Sequence, residues 1–406
     1  MKHCGCGAET LCSTPTVQKR WGLKVSKSHS LNIVIPGIMM SYASYMDNSH
    51  VYFVASKALY HIYDGEIKEL ISYTQEMRPI GGIVELPAQT RLCSPFILNE
   101  RVYSGYYTAK FNKTTLIAFS KDGRELCKKE FPEQCFWLCG GEQRIFSLYQ
   151  NEKRNQAMVR VLDVELNCLY AINVFGHIEP IVMTVHKDTL LFRTTLEQRE
   201  LLYQLDAEGM LKELHDLGPV NPFNINYRIV SRENQVYLQK KVINRHYSGS
   251  DFLLFQSSSD ATLNYLRTLH MGSFEEQETC FKGTFVLTPD YLIYVDGICS
   301  YSSATKKIRI WTASRNEYKQ HCVEYMVSCY GSISVPPVVL DDGTICALWW
   351  DDNGRKWVSL YKDGAWNIKR ASAARYIFGC GNHYYICAAN SSKWETQIHG
   401  KKCNHR

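Results

Sequence analysis

Four aspartates near the C-terminal end of the chain could do chemistry if they lay close together in space. The stretch VPPVVLDDGTICALWWDDNGRK places Asp341 and Asp342 nine or ten residues before Asp351 and Asp352. Two pairs of carboxylates can bind a divalent cation, or can serve as the acid and the base of a hydrolase. Either role requires the pairs to meet, so the element that joins them decides the interpretation.

The segment between the two pairs, TICALWW, has the composition of a buried strand. A strand advances about 3.3 Å per residue, which separates the pairs by about 25–30 Å. Metal ligands must lie within about 2–2.6 Å of the ion, so the pairs cannot share one. We therefore interpret both pairs as turn residues at opposite ends of one strand, with Trp349 and Trp350 facing opposite sides of its sheet.

Both ends of the chain are rich in soft metal ligands. His3, Cys4, Cys6 and Cys12 lie near the N-terminus, and His399, Cys403 and His405 lie near the C-terminus. If the two ends meet, Cys4, Cys6, Cys403 and His405 could form a tetrahedral zinc site. The competing interpretation is two solvent-exposed tails, because the chain lacks the Cys-x-x-Cys pair that is typical of such sites.

Nucleophilic and phosphate-binding chemistry has no local motif in the chain. The sequence lacks a G-x-S-x-G elbow, an H-E-x-x-H helix and a G-x-x-x-x-G-K-[ST] loop. His61 and His186 lie in or beside strand-like runs, and we interpret them as structural imidazoles. A catalytic site would have to be assembled from single residues on several repeats.

The net charge of +6 is mild, since 46 basic residues face 40 acidic ones among 406. The densest basic stretch is YRIVSRENQVYLQKKVINRHY. It contains Arg228, Arg232, Lys240, Lys241 and Arg245. We interpret the stretch as a solvated strand face, and a nucleic-acid surface is the alternative.

The cysteines and the N-terminal segment indicate a cytoplasmic protein. The 16 cysteines are scattered, and residues 1–30 hold no early apolar run of the kind found in secretory signals. The most apolar stretch, residues 31–40, contains Pro36 and is half the length of a membrane helix, which needs about 20 residues. We expect free thiols, which in strands pack as small apolar groups.

Four hairpins share one pattern along the chain. An alternating apolar run is followed by an acidic residue and a glycine, and then by a second run. The turns are Asp64-Gly65, Asp122-Gly123, Glu208-Gly209 and Asp363-Gly364. Such pairs tolerate the positive φ angles of tight turns between antiparallel strands.

A longer repeat contains these hairpins. Short apolar strands followed by a polar turn and an aromatic-rich strand begin near residues 39, 92, 135, 179, 223, 284, 334 and 374. Intervals of this length are typical of four-stranded propeller blades. Each blade has an apolar face that it cannot bury alone, and packing around a ring buries these faces. The pattern favours an all-β propeller of eight blades, with seven as the alternative.

The ends of the chain complete the predicted ring. The last unit lacks an outer strand, and KWETQIHG supplies its third strand, so the segment 23–37 can supply the fourth. This gives a propeller over residues 23–400, with tails at 1–22 and 401–406. One local signal competes with it: in EIKELISYTQEM, the spacing of Ile67, Leu70, Ile71 and Met77 is also that of a short helix.

The hairpin pattern resembles the β-propeller superfamily, and most nearly its quinoprotein-like blades. In those blades an apolar strand precedes a glycine turn and a short strand that ends in tryptophan. The best match, LIAFSKDGRELCKKEF, lacks the tryptophan. The glycine-histidine pair of WD-type blades is also missing. The resemblance implies the fold over about residues 30–400 and carries over no quinone-binding residues.

Three functions are compatible with such a ring. We favour a non-catalytic scaffold that binds a protein partner, with Tyr247, Phe274, Glu275 and Glu276 as an exposed contact patch, because binding residues concentrate on loops of rigid scaffolds. A hydrolase or lyase with a site at the central channel is the alternative. Nucleic-acid binding through Arg228, Lys240, Lys241 and Arg245 is the third.

Overall fold

The computed structural model shows a ring of eight antiparallel sheets. It describes residues 32–36, 44–45, 50–63, 66–80, 95–151, 156–175, 177–220, 227–243, 248–258, 262–273, 278–280, 283–300, 306–326, 331–332, 337–351, 354–363, 365–371, 374–380, 383–390, 393 and 395–402. The chain is therefore an eight-bladed β-propeller, and the seven-bladed alternative is wrong. Across these residues no helix is long and apolar enough to cross a membrane.

The chain enters the ring with β1 (Asn32–Pro36), which belongs to the last blade. Four blades follow in chain order. Blade one holds β2 (Ser44–Tyr45), β3 (Val51–Ala55), β4 (Ala58–Tyr63) and β5 (Glu66–Ser72); blade two holds β6 (Met77–Pro79), β7 (Phe96–Leu98), β8 (Arg101–Thr108), β9 (Lys113–Ser120) and β10 (Glu125–Pro132); blade three holds β11 (Cys135–Gly140), β12 (Ile145–Asn151), β13 (Gln156–Leu162) and β14 (Cys168–Phe175); blade four holds β15 (His177–His186), β16 (Thr189–Leu196), β17 (Arg199–Leu205) and β18 (Leu211–Pro219).

The remaining blades complete the circle. Blade five holds β19 (Tyr227–Arg232), β20 (Gln235–Ile243), β21 (Ser248–Ser257) and β22 (Leu263–Ser273); blade six holds β23 (Glu278–Cys280), β24 (Thr284–Leu287), β25 (Tyr291–Ser300), β26 (Lys306–Ser314) and β27 (Gln320–Met326); blade seven holds β28 (Gly331–Ser332), β29 (Val338–Val339), β30 (Ile345–Asp351), β31 (Lys356–Lys362) and β32 (Ala365–Arg370); blade eight holds β33 (Ala374–Cys380), β34 (His383–Asn390) and β35 (Glu395–Lys402).

The first and the last described strands meet in blade eight, as predicted. β1 pairs antiparallel with β35, with Asn32 opposite His399 and Pro36 opposite Glu395. β1 is thus the outer strand of a blade whose other three strands come from the C-terminal end. This pairing ties the first described strand to the last one.

The predicted hairpins join the third and fourth strands of blades one, two, four and seven. Gly123 and Gly209 have φ angles of +73° and +90°, which an L side chain rarely adopts. The competing alternative of a short helix at EIKELISYTQEM is wrong. Glu66–Ser72 forms β5 and pairs with β4, because pairing within the blade overrides the weak helical spacing.

Each pair of neighbouring blades buries one shared apolar cluster. Between blades eight and one, for example, Phe53 packs with Tyr376, Cys387 and Ile398. Seven further clusters join the other neighbours around the ring. Each blade therefore buries its apolar faces against the next one, which is the physical reason for the closed circle.

The inner strands of several blades are interrupted. In blades two, six and seven two short strands pair with the same second strand, and in blade four the register shifts between Ile178 and Met183. The repeat positions near 92 and 284 mark the second of the two pieces in blades two and six, which explains the irregular intervals in the sequence.

The strand directions give the ring two faces. We call upper the face at which second strands end and third strands begin. We call lower the face at which inner strands end and outer strands begin. In blade seven the second strand β30 starts near the lower face and ends with Asp351 at the upper face.

Candidate functional site

Three of the predicted binding residues lie near the upper end of blade five. Arg228 lies in β19, and Lys240 and Lys241 lie in β20. β20 ends opposite the first residue of β21, which in turn lies opposite the last residue of β22. The segments that leave from these strand ends carry the other predicted residues. Arg245, Tyr247, Phe274, Glu275 and Glu276 lie outside the described residues.

A buried polar cluster fills the junction between blades four and five. Arg193 Nη1 donates to Glu200 Oε1 at 2.6 Å, and its guanidinium lies 4.6 Å from the centre of the Tyr227 ring. The Tyr227 hydroxyl donates to the other oxygen of Glu200. Lys240 Nζ donates to the carbonyl oxygen of Leu217 at 2.9 Å. These contacts tie five strands of two blades together and pair the buried carboxylate with a cation.

The other side of blade five is bound to blade six by arginines. Arg228 Nη1 donates to Thr284 Oγ1 at 2.6 Å and to the Phe285 carbonyl oxygen at 2.8 Å. Arg232 Nη1 donates to the Leu287 carbonyl oxygen at 2.7 Å. The solvated-face interpretation leaves out these contacts: both arginines donate to blade six, and the Arg232 side chain remains 39% exposed. Their head groups bridge blades, and a phosphate would have to compete for the same donors.

Charges and amides are buried deeper in the same junction. Arg309 donates to both oxygens of Asp296, from Nε at 2.9 Å and from Nη2 at 2.5 Å, and Asp296 is fully buried. Burial raises the pKa of Asp296, and the guanidinium of Arg309 opposes that shift. Gln239 Nε2 donates to Ser250 Oγ, which donates to the Tyr294 hydroxyl, each at 3.0 Å.

Arg315 completes the contacts between blades five and six. Its side chain is 4% exposed and donates to the carbonyl oxygens of Arg232, Thr288 and Pro289 at 2.8–3.0 Å. Its Nε also donates to Gln235 Oε1 at 3.0 Å. Sequence reasoning missed Arg315, Asp296 and Arg309. The available signal was a charged residue inside an apolar strand-like run, as in YLIYVDG and KKIRIW.

The aspartates of blade seven lie at opposite ends of β30, as predicted. Asp342 accepts from the Thr344 backbone N–H at 3.0 Å and from Lys362 Nζ at 3.1 Å. Asp351 accepts from the Arg355 backbone N–H at 2.7 Å and from Trp357 Nε1 at 3.0 Å. Asp342 and Asp351 therefore stabilise turns and share no site. Asp352 lies outside the described residues.

The two histidines singled out in the sequence are buried between blades. His61 Nε2 lies 2.9 Å from His50 Nδ1, and its ring stacks on Tyr52 at 4.4 Å between ring centres. His186 Nδ1 lies 2.8 Å from Ser231 Oγ. Burial lowers the pKa of each to about 4, helped by His50 at His61 and by Lys187 at His186. Both imidazoles are therefore neutral near pH 7.

Metal ligands do not cluster in the part of the chain that the structure describes. No group of three His, Cys, Asp or Glu side chains there could hold an ion. The predicted zinc ligands Cys4, Cys6, Cys403 and His405 lie outside that part, so zinc between the termini stays a prediction. No disulfide is formed by any of the following cysteines: Cys127, Cys135, Cys139, Cys168, Cys322, Cys346 and Cys387.

Exposed apolar side chains recur on the outer strands of blades two to five. They lie at or just before the beginning of each outer strand, near the lower face. We call them the rim strip: Leu126, Leu169, Met210, Leu211, Tyr265 and Leu266. Sequence reasoning missed this strip, although the outer strands that carry it could have shown it, because their apolar residues occupy both faces of the strand.

Contacts between neighbouring blades connect parts of the rim strip. The Tyr170 hydroxyl of blade three donates to the Ala207 carbonyl oxygen, in the turn that leads to Met210. In blade four the His215 ring stacks on Tyr265 of blade five at 5.0 Å between ring centres. The exposed side chains thus lie on paired strands, except Met210, which lies in the turn just before β18.

The comparisons with known proteins support the fold. No family model matches the chain, and no curated protein sequence matches it. Among solved structures, BamB from Moraxella catarrhalis has a TM-score of 0.50 at 12% identity, over 91% of this chain and 98% of that one. A prolyl endopeptidase has a TM-score of 0.52 at 9% identity, over 92% of this chain. The chain spans 55% of the endopeptidase, and identities this low show the fold alone.

Proposed function

We propose that this protein is a non-catalytic propeller scaffold that binds a protein partner through the rim strip. The observation that carries the proposal is the recurrence of exposed apolar side chains near the beginning of the outer strand on four consecutive blades. Single exposed apolar residues are ordinary on protein surfaces, whereas a repeated set on rigid strands is typical of an interaction surface.

The buried charges support a structural rather than a catalytic role. Glu200 and Asp296 are each held by an arginine of the same blade and face a junction between blades. A hydrolase or lyase needs a general acid or base that can exchange a proton with a substrate, and these two carboxylates are already engaged by arginines. The alternative of an enzyme with a site at the channel is therefore less well supported than the scaffold.

Nucleic-acid binding through blade five is also less well supported. Arg228, Arg232 and Lys240 donate to groups of neighbouring blades, among them backbone carbonyl oxygens. A phosphate-binding surface needs cationic groups that point to solvent. Tyr247, Phe274, Glu275 and Glu276 remain our prediction for a second protein contact.

We also propose a cytoplasmic location. Cys127, Cys135, Cys139, Cys168, Cys322, Cys346 and Cys387 are free thiols, and Cys168 is exposed. Burial raises the pKa of Cys135 to about 12, so this thiol packs as an apolar group and is protected from oxidation. A chain with many free thiols suits a reducing compartment.

The test is a matched pair of charge substitutions on the surface. Met210, in the rim strip, and Phe111, near the upper face of blade two, are 68% and 67% exposed. The wild type, Met210→Glu and Phe111→Glu would be immobilised and incubated with native extract, and the retained proteins quantified by mass spectrometry. We expect Met210→Glu to lose a partner that the wild type and Phe111→Glu both retain.

Equal retention by all three proteins would contradict the role of the rim strip. Equal loss in both variants would contradict it as well, because the effect would then be unspecific. A partner that passes this comparison would next be mixed with the protein for hydrogen exchange. Slower exchange in the outer strands β18 and β22 is the expected result.

A further inference from the structure

The outer strand of blade three has an open edge without the usual protection. β14 pairs on one side with β13, from Gln156 opposite Phe175 to Leu162 opposite Cys168. No described strand pairs with its other side. Such an edge presents unpaired backbone N–H and C=O groups to any extended chain, and proteins protect such edges with charges, proline or very short strands.

β14 differs in this respect from the other seven outer strands. Its eight residues, CLYAINVF, include no charged residue, no proline and no glycine. The outer strands β5, β10, β18, β22, β27 and β32 all carry Lys, Arg, Asp or Glu. β1 has only five residues and ends in Pro36. An outer edge without charged residues or proline is thus a property of blade three and not of the fold.

One face of β14 is fixed and the other is accessible. Tyr170 and Ile172 pack into the apolar cluster between blades three and four, where Gly209 lies close to both side chains. Leu169, Ala171 and Asn173 alternate with them and are exposed, Leu169 by 46%. The strand is therefore a rigid template with apolar character on both faces.

We propose that β14 pairs with β14 of a second copy of this chain, antiparallel and around a two-fold axis perpendicular to the sheet. Such an axis keeps each side chain on its own face, so Leu169 and Ala171 of both copies share one face, and Tyr170 and Ile172 share the other. The lack of charged residues in β14 favours a second copy of the same strand as the occupant of this edge. Two copies of β10 would bring Lys128 and Lys129 of one copy close to those of the other, whereas β14 meets itself without any like-charge repulsion.

The test is sedimentation velocity of the purified full chain over a wide concentration range. We expect the wild type to form a dimer. Ala171→Lys places a charge on the open edge of each copy and should weaken the dimer at least about fivefold. The double variant Leu169→Lys/Ala171→Lys should remain monomeric. Ala365→Lys is the matched control, because Ala365 is an exposed alanine on the outer strand of blade seven.

Each outcome is decisive. A concentration-dependent dimer that Ala171→Lys weakens and Ala365→Lys does not would support the proposal. A wild type that stays monomeric would overturn it, and slow exchange of the β14 amides in that monomer would mean that another segment occupies the edge. A dimer that both variants leave unchanged would overturn it too. The measurement uses no partner protein, so its failure is distinct from failure of the rim strip as a partner site.

Discussion

Two junctions between neighbouring blades of the ring are stabilised by different interactions. Between blades three and four, buried side chains such as Phe146, Leu148 and Phe192 form an apolar cluster, and the polar contacts lie at its margin. There Asp188 accepts the backbone N–H groups of residues 142–144 at 2.8–2.9 Å. Between blades five and six an apolar cluster is combined with the buried pair Asp296–Arg309 and with Arg315.

The difference shows that the propeller fold requires neither the apolar nor the polar type of junction. Apolar burial contributes about 25 cal/mol per Å² and depends on shape, whereas a buried ion pair often contributes little net stability. What the polar junction adds is geometry, because arginine donors must meet particular carbonyl oxygens. We infer that the junction between blades five and six fixes the relative position of two blades more strictly than the apolar one does.

The largest effect should come from Asp296→Ala. The substitution leaves Arg309 buried beside an empty position, which should lower the free energy of unfolding by about 3–5 kcal/mol. Urea denaturation followed by circular dichroism measures the change. The same measurement on Asp296→Leu/Arg309→Met should show recovery of most of the loss, since replacing both charges removes the cost of burying either alone. A double variant as unstable as Asp296→Ala would mean that the pair itself is stabilising.

Leu148→Ala should break the apolar junction by a different route. Leu148 is fully buried in the cluster between blades three and four. Its truncation leaves a cavity, which should lower the free energy of unfolding by about 2–5 kcal/mol. The control is Val220→Ala at an exposed position, which should change the free energy of unfolding by less than about 0.5 kcal/mol. In contrast to Asp296, no second substitution that removes a charge can restore the stability.

The sequence predicted the ring because its signals are local and repeated. Acidic-glycine turns mark the hairpins, and β-branched and aromatic runs mark the strands, so eight units and the closure by residues 23–37 could be found from spacing alone. The interrupted inner strands of blades two, six and seven could not be found in this way. Their short pieces follow from pairing with β8, β25 and β30, which is a property of the assembled sheet.

The candidate sites were less accessible to the same reasoning. Arg228 and Lys240 were found as basic residues, but their partners lie in other blades. Arg228 contacts Thr284 Oγ1 and the ring and carbonyl oxygen of Phe285, and Lys240 contacts the carbonyl oxygen of Leu217. A carbonyl oxygen has no sequence signature. The rim strip was missed because each of its members is an ordinary exposed side chain in its own blade. Only the assembled ring brings these side chains near the lower face of consecutive blades.

Arg228→Met tests whether the arginines of blade five hold blade six. Methionine keeps the apolar length of the side chain and removes the hydrogen bonds to Thr284 Oγ1 and the Phe285 carbonyl oxygen. Loss of hydrogen bonds from a charged donor should lower the free energy of unfolding by about 1.5–3 kcal/mol. The substitution should also increase the rate of hydrogen exchange more in β24 than in β15, relative to the wild type. An equal increase in both strands would contradict the role of Arg228 between these blades.

The smallest effect should be a pH dependence that the apolar junction lacks. His186 lies between blades four and five, and burial lowers its pKa to about 4, below the value of about 6.5 expected in the unfolded chain. The unfolded chain therefore takes up the proton first as the pH falls. Stability is lost from about pH 6.5 downwards until the folded state is protonated near pH 4, and the loss is on the order of 1–2 kcal/mol by pH 5.

His186→Asn isolates this contribution, because asparagine can still bond to Ser231 Oγ and does not titrate. The difference in melting temperature between about pH 7 and about pH 5 should be smaller in this variant than in the wild type. His321→Asn is the control, since His321 is exposed and should leave the difference unchanged. If His186→Asn kept the full pH dependence, the proton uptake would have to be assigned to another buried group, and His61 beside His50 would be the next position to substitute.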